Sequence, residues 1–126
     1  MRLLTNRRKT GEEYEKIVAK ILEKYGYQIL ERNYRCRIGE IDLIAIDQGM
    51  LVFIEVKYRK DKKAGRPEEA VNVKKQQIIC RTADDYRMRY PQYAQYQIRF
   101  DVAAVLENKL RIYKNAFEYQ WRRRWN

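Results

Sequence analysis

Two apolar runs, Ile41-Asp42-Leu43-Ile44-Ala45-Ile46 and Leu51-Val52-Phe53-Ile54-Glu55-Val56-Lys57-Tyr58, flank the polar stretch Asp47-Gln48-Gly49-Met50. Runs of this length around a Gly-containing pair predict a β-hairpin with a two-residue loop at Gln48-Gly49. That turn sets the register: Asp42 falls opposite Glu55, and Glu40 opposite Lys57. Because strand side chains alternate with a period of two, Asp42, Glu55 and Lys57 share one face with Ile44, Ile46, Leu51 and Phe53. The other face, Ile41, Leu43, Ala45, Val52, Ile54 and Val56, is uniformly apolar, so the hairpin is expected to be central and covered on both sides.

Opposed residues on one face have Cβ atoms roughly 4.5–5.5 Å apart, and like charges so placed are destabilising. A covered acid pair therefore needs a cation. Lys57 with Glu40 would give an ordinary salt-bridge cluster. A divalent cation explains the arrangement better, since Mg2+ takes one or two carboxylates plus waters and substrate phosphate. Asp42 and Glu55 are the candidate metal ligands, with the Val56 carbonyl as a further oxygen. Such an ion lowers the pKa of a bound water and polarises a phosphodiester. Lys57 would orient the nucleophile or offset charge in the transition state.

The rest of the chain predicts what flanks this hairpin. Thr10 and Glu13 have capping-box spacing, and Tyr14, Ile17, Val18, Ile21, Leu22 and Tyr25 recur at helical intervals, so a helix is expected over about Gly11–Tyr25, ended by Gly26. A strand is expected from Tyr27 to Tyr34, and a polar loop from Lys60 to Pro67. Val71, Ile78, Ile79, Thr82 and Tyr86 mark a second helix from about Glu68 to Arg89, before Pro91. Strands follow at Ile98–Leu106 and Leu110–Tyr113, and the chain closes on Trp121-Arg122-Arg123-Arg124-Trp125. The order α-β-β-β-α-β-β with amphipathic helices argues an α/β or α+β fold, a central mixed sheet flanked by helices. Residues 1–126 read as a single domain, with a basic arm at 1–9 and a basic, aromatic tail at 119–126.

Two helical residues stand where the pattern does not expect them. At 100° per residue Glu15 lies about 80° from the centre of the first apolar stripe, at its border, where it either meets solvent or reaches the carboxylates. Glu12 and Glu13 are first-turn charges favoured by the helix dipole. Lys75 falls in the middle of the second stripe, either snorkelling from a first turn or pointing into the cleft. Gln76 beside it is a candidate contact to phosphate or to an attacking water.

Composition narrows the chemistry. The chain has no His, which removes Ser-His and Cys-His pairs and every His-bearing metal site. Cys36 and Cys80 stand far apart, in no zinc spacing, and read as reduced thiols. A net charge of +11 over 126 residues favours a polyanionic partner, nucleic acid first. No apolar run approaches the ~20 residues of a membrane span, and Met1–Lys9 lacks the apolar core of a signal peptide, so a cytoplasmic protein is expected.

The segments Gly39-Glu40-Ile41-Asp42-Leu43-Ile44-Ala45 and Phe53-Ile54-Glu55-Val56-Lys57-Tyr58-Arg59 together resemble the YraN-like family of uncharacterised bacterial proteins. The resemblance continues through Thr10-Gly11, Glu15, Asn33, Lys75-Gln76 and Arg99-Phe100-Asp101, across about residues 10–118. That family is similar to the PD-(D/E)-x-K nucleases, which share the restriction-endonuclease fold with Holliday junction resolvases. The resemblance implies that Asp42 is the metal-binding Asp, that Glu55 and Lys57 form the (D/E)-x-K element, and that Glu15 is the helix-one acid. Glu15, Asp42, Glu55 and Lys57 are thus the candidate catalytic residues.

Three function classes fit these features. The first is an endonuclease dependent on Mg2+ or Mn2+, acting on DNA, including branched or single-stranded structures. The second is a non-catalytic nucleic-acid-binding module that uses Arg59, Lys60, Lys62, Lys63 and Arg66, with Lys75 and Gln76 also facing the ligand. The third is an interaction subunit that docks a partner through its eleven Tyr and its Trp-bracketed tail. A homodimer would suit a two-fold symmetric junction.

Overall fold

The computed structural model describes residues 11–59, 71–106 and 108–120, with the backbone alone at Arg59. Helix α1, Gly11–Lys24, is followed by strands β1, Gln28–Arg35, β2, Glu40–Asp47, and β3, Met50–Arg59. Helix α2, Val73–Arg89, and a 3-10 turn, Pro91–Tyr93, lead to β4, Ile98–Leu106, and β5, Lys109–Phe117. The strands form one sheet in the order β1-β2-β3-β4-β5; β3 and β4 run parallel, and every other neighbouring pair is antiparallel. This is the expected mixed sheet flanked by helices, in the expected order. Thr10, the 1–9 arm, the Lys60–Pro67 loop with Lys60, Lys62, Lys63 and Arg66, and the Trp121–Trp125 tail lie outside the described residues.

Local chemistry sets the element boundaries. Gly26, at φ +95°, ends α1: its N–H reaches the Glu23 carbonyl and that of Tyr27 reaches Leu22, the paired bonds of a Schellman stop. In the hairpin turn both Gln48 (φ 53°) and Gly49 (φ 74°) are left-handed, the backbone that lets a two-residue loop follow the strand twist. The register is the expected one, running from Asp47–Met50 to Leu43–Ile54. Helix α2 starts at Val73 rather than near Glu68, because Asn72 has extended ψ and its side chain accepts the N–H of Lys75 at 2.8 Å, capping the first turn. Strand β5 runs on to Phe117, beyond the expected Tyr113. Its pairing with β4 slips between Phe100 and Val102, and this irregularity breaks the simple alternation in the sequence.

Each face of the sheet buries one helix. Tyr14, Val18, Ile21 and Leu22 of α1 pack on Leu43, Ala45, Val52 and Ile54 with Ala103 and Val105 of β4. On the other face Ile79, Cys80, Ala83 and Tyr86 of α2 pack on Ile44, Leu51, Phe53 and Val102, and Phe100 stacks on Phe53 and Phe117. Each such side chain contributes roughly 1.5–3 kcal/mol on full burial. Ile41 departs from the expected face: it joins the α2-side core while Leu43 joins the α1-side core. The β1–β2 register shifts between Ile29 and Glu31 and then runs unbroken through Arg32–Leu43 and Tyr34–Ile41, so Asn33, at φ 55°, lies across from Asp42.

Candidate active site

The β2–β3 ladder ends at Leu43–Ile54, one pair short of Asp42 and Glu55. In place of a main-chain acceptor, Oδ2 of Asp42 takes the N–H of Val56 at 2.8 Å. This hydrogen bond lays the Asp42 carboxylate in the gap between the parting strands. Glu55, whose side chain is 8% exposed, projects beside it from β3. Glu15 reaches the same group from the first half of α1, between Asp42 and Asn33. Asp42 thus has Glu15 of α1 and Glu55 of β3 as acidic neighbours.

Two lysines complete the cluster, both on Oε2 of Glu55: Nζ of Lys57 at 3.6 Å and Nζ of Lys75 at 3.7 Å. Lys75 thus turns its ammonium toward Glu55 while its side chain stays partly exposed. Both distances exceed the 2.7–2.9 Å of a tight charge-assisted bond. The alternative pairing of Lys57 with Glu40 does not form, because Glu40 sits against Arg35 in the β1–β2 register and bonds its Nε at 3.0 Å. Gln76 is turned elsewhere: its Nε2 donates to the Val71 carbonyl at 2.7 Å and secures the entry to α2. Arg59 belongs to β3 by its backbone, and its side chain lies outside the described residues.

The electrostatics follow from this crowding. Burial is the first cause that raises the Glu55 carboxyl, to about 7; Asp42 adds to it, while Lys75 and Lys57 pull the other way. Glu15 also rises to about 7, through burial first and then the charge and hydrogen bonding of Asp42, with Asn33 opposing. Oε1 of Glu15 is shut from solvent without a hydrogen-bond partner. Two carboxyls raised to about 7 and an orphaned carboxylate oxygen form an all-oxygen donor set. They fit a hard, oxygen-seeking divalent cation. Among the described residues no three carboxylates or thiols are spaced to enclose a single ion.

A second polar group was not anticipated as a unit. Arg99, on the α1 face at the turn end of the sheet, donates through Nε and Nη to both oxygens of Asp101 at 2.9 and 2.8 Å, and through Nη to Asp47 at 2.7 Å. Tyr27 and Lys114 close the group, at 3.0 Å to Asp101 and 3.2 Å to Asp47 respectively. The available signal was two charged residues at alternate positions of an otherwise apolar strand. The network ties Tyr27, β2, β4 and β5 together.

The fold and site define a class first: an α/β protein with a mixed sheet in which Asp42, where the β2–β3 ladder ends, has Glu15 and Glu55 beside it and two lysines stand on Glu55. The chain belongs to uncharacterised protein family UPF0102, whose sequence model matches residues 14–105, a span holding Glu15, Asp42, Glu55, Lys57 and Lys75. A UPF0102 protein of Lachnoclostridium phytofermentans is 46% identical over 115 residues, covering 90% of this chain and 96% of that one. Those of Caldanaerobacter subterraneus and Syntrophus aciditrophicus are 47% and 41% identical, covering 82% and 95% of this chain and 84% and 97% of theirs. Among solved structures, a repair endonuclease from Pyrococcus abyssi aligns with a TM-score of 0.49 at 18% identity, over 82% of this chain and 41% of that one. The chain thus spans about two fifths of that structure's length. No helix among the described residues is long and apolar enough to cross a membrane.

Proposed function

We propose that the chain is an endonuclease dependent on Mg2+ or Mn2+ that hydrolyses phosphodiester bonds in DNA. The observation that carries this reading is that Asp42 stands between Glu15 and Glu55, with Lys57 and Lys75 on Glu55. The net charge of +11 supports a polyanionic substrate. The similarity to PD-(D/E)-x-K nucleases, carried by Asp42, Glu55 and Lys57, points the same way.

In this reading Asp42 and Glu55 hold the cation, which when bound supplies Lewis acidity and a water acidified toward neutrality. Lys57 faces the scissile phosphate and offsets the negative charge that develops on its oxygens. Glu15, with a carboxyl near 7 and Oε1 free of hydrogen bonds, accepts the proton of the attacking water. Lys75 balances Glu55 and contacts phosphate on the α2 side.

Cleavage of labelled single-stranded, duplex, flapped and four-way-junction DNA tests the proposal, in Mg2+, in Mn2+ and in chelator. Products with either metal and none in chelator are expected. Tight binding to these substrates without product in either metal would instead favour a non-catalytic binding module.

A further inference from the structure

At the β1 edge of the sheet, α1 and β1 form a groove of about 380 Å³. The exposed Lys16, Lys20, Glu23 and Arg32 line it together with Ala19 and Ile29, which belong to the α1-side core. Arg32 reaches this groove through a bulge. Ile29 pairs with Ala45 and Arg32 with Leu43, and both partners lie in the α1-side core, yet Arg32 stands three positions after Ile29. In an unbroken strand residues an odd number apart face opposite sides. The register shift between Ile29 and Glu31 returns Arg32 to the α1 face, beside the two lysines. Among the described residues no ion pair ties Lys16, Lys20 or Arg32 to an acid, whereas Arg35, Arg89 and Lys114 hold Glu40, Asp85 and Asp47.

Both walls of the groove also enter the acid cluster. On β1 the pair Arg32–Leu43 is followed by Asn33 across from Asp42, and on α1 Lys16 follows Glu15, the acidic neighbour of Asp42. From that end α1 runs on to Glu23 while β1 runs back to Ile29, whose partner Ala45 lies toward the hairpin turn. The groove therefore leads away from the acids. We infer that it holds the sugar-phosphate backbone of the DNA strand that leaves the acid cluster, with Lys16, Lys20 and Arg32 each neutralising a phosphate. This rests on the reading of the cluster as a phosphodiester site and gives the strand its path. Lys16 and Lys20 are one helical turn apart, a rise of about 6 Å, comparable to the distance between successive phosphates of one strand. Such contacts position the backbone and carry no sequence information.

The test is the salt dependence of binding to a labelled four-way-junction DNA, in chelator so that no strand is cut. Each phosphate contact adds about one to the slope of log affinity against log salt concentration. Lys16→Gln, Lys20→Gln and Arg32→Gln are each expected to lower that slope by about one, and the triple variant by about three. The melting temperature should change little, because all three side chains are exposed. Arg32→Lys should keep the slope. Lys109→Gln removes the same charge from the opposite edge strand and should leave the slope at its wild-type value. A triple variant with the wild-type slope, equal falls for Lys109→Gln and Lys16→Gln, or a wild type that does not bind the junction would overturn the inference. The expected slopes from a wild type that cuts no DNA in Mg2+ or Mn2+ would remove the nuclease reading and uphold the groove.

Discussion

The carboxylate of Asp42 accepts the main-chain N–H of Val56 at 2.8 Å, at the point where the ladder between their strands stops. One side chain thus both seals a strand end and supplies negative charge to a cluster already rich in it. These two roles separate on substitution. Asn at position 42 can still accept the Val56 N–H but removes a charge beside Glu15 and Glu55. Asp42→Asn should raise the melting temperature of the metal-free protein by a few degrees near neutral pH, corresponding to roughly 1 kcal/mol. It should also abolish stabilisation by Mn2+. A lowered melting temperature would show that the acids do not repel one another.

Glu15 and Glu55 give the metal-free protein a pH dependence of definite sign. Both carboxyls sit at about 7 in the folded chain against an ordinary 4.5. The folded state therefore binds these protons more tightly than the unfolded one. Their contribution is fully present below about 4.5 and is lost as pH rises through about 7. Melting curves in chelator should show wild type losing more stability between about pH 5 and about pH 8 than Glu55→Gln does. Mn2+ should stabilise wild type strongly at the upper pH and hardly at the lower, where protons compete for the same oxygens. Equal slopes for the two proteins would contradict the raised Glu55 carboxyl.

Gly39 couples the hairpin to α2. A Cβ at this position would lie 2.6 Å from Cγ2 of Ile78 and 3.2 Å from Oγ1 of Thr82, and a β-branched side chain cannot swing its Cγ2 aside cheaply. Gly39→Ala should push α2 outward at a cost of about 1–3 kcal/mol, read as a melting temperature lower by several degrees. Because Lys75 rides on α2, the displacement should also weaken nucleic-acid binding. A variant as stable as wild type would show that the contact relaxes locally.

At the other end of the sheet, Arg99 is 7% exposed by side chain and faces Asp47 at 5% and Asp101 at 0%. Arg99→Met strands two buried carboxylates and should cost about 3–5 kcal/mol in urea unfolding. Arg99→Lys restores the charge but cannot span both acids with a planar fork, so it should recover only part of the loss. Full recovery by Lys would mean that charge alone, not bidentate geometry, holds the network.

The hairpin was legible because its turn and register follow from local rules: two apolar runs and a Gly-containing pair leave one pairing. That pairing also placed Asp42 and Glu55 at one end of it. The left-handed backbone at Asn33 and the placement of Ile41 in the other core were not legible, since neither leaves a periodic trace in the sequence. The reach of the Val56 N–H and of Glu15 to Asp42 was not legible either, because the sequence does not show where the β2–β3 ladder stops. Lys75 was visible as a charge in an apolar stripe, but only packing of α2 on the sheet showed which way it points. Gln76 looked free until the non-helical entry at Val71 and Asn72 gave it a carbonyl to hold. Arg99 and Asp101 were legible as motif residues, whereas their partners Asp47, Tyr27 and Lys114 come from distant segments.

The measurement that tests the account most directly is the Mn2+-dependent cleavage rate of a branched DNA substrate for wild type, Asp42→Ala and Glu55→Ala, with binding affinity recorded on the same samples. The account predicts that both substitutions reduce cleavage by a factor of a thousand or more, on the order of 4 kcal/mol, while binding changes little. Cleavage that persists in either variant, or an inactive wild type that binds as tightly as the variants, would contradict it.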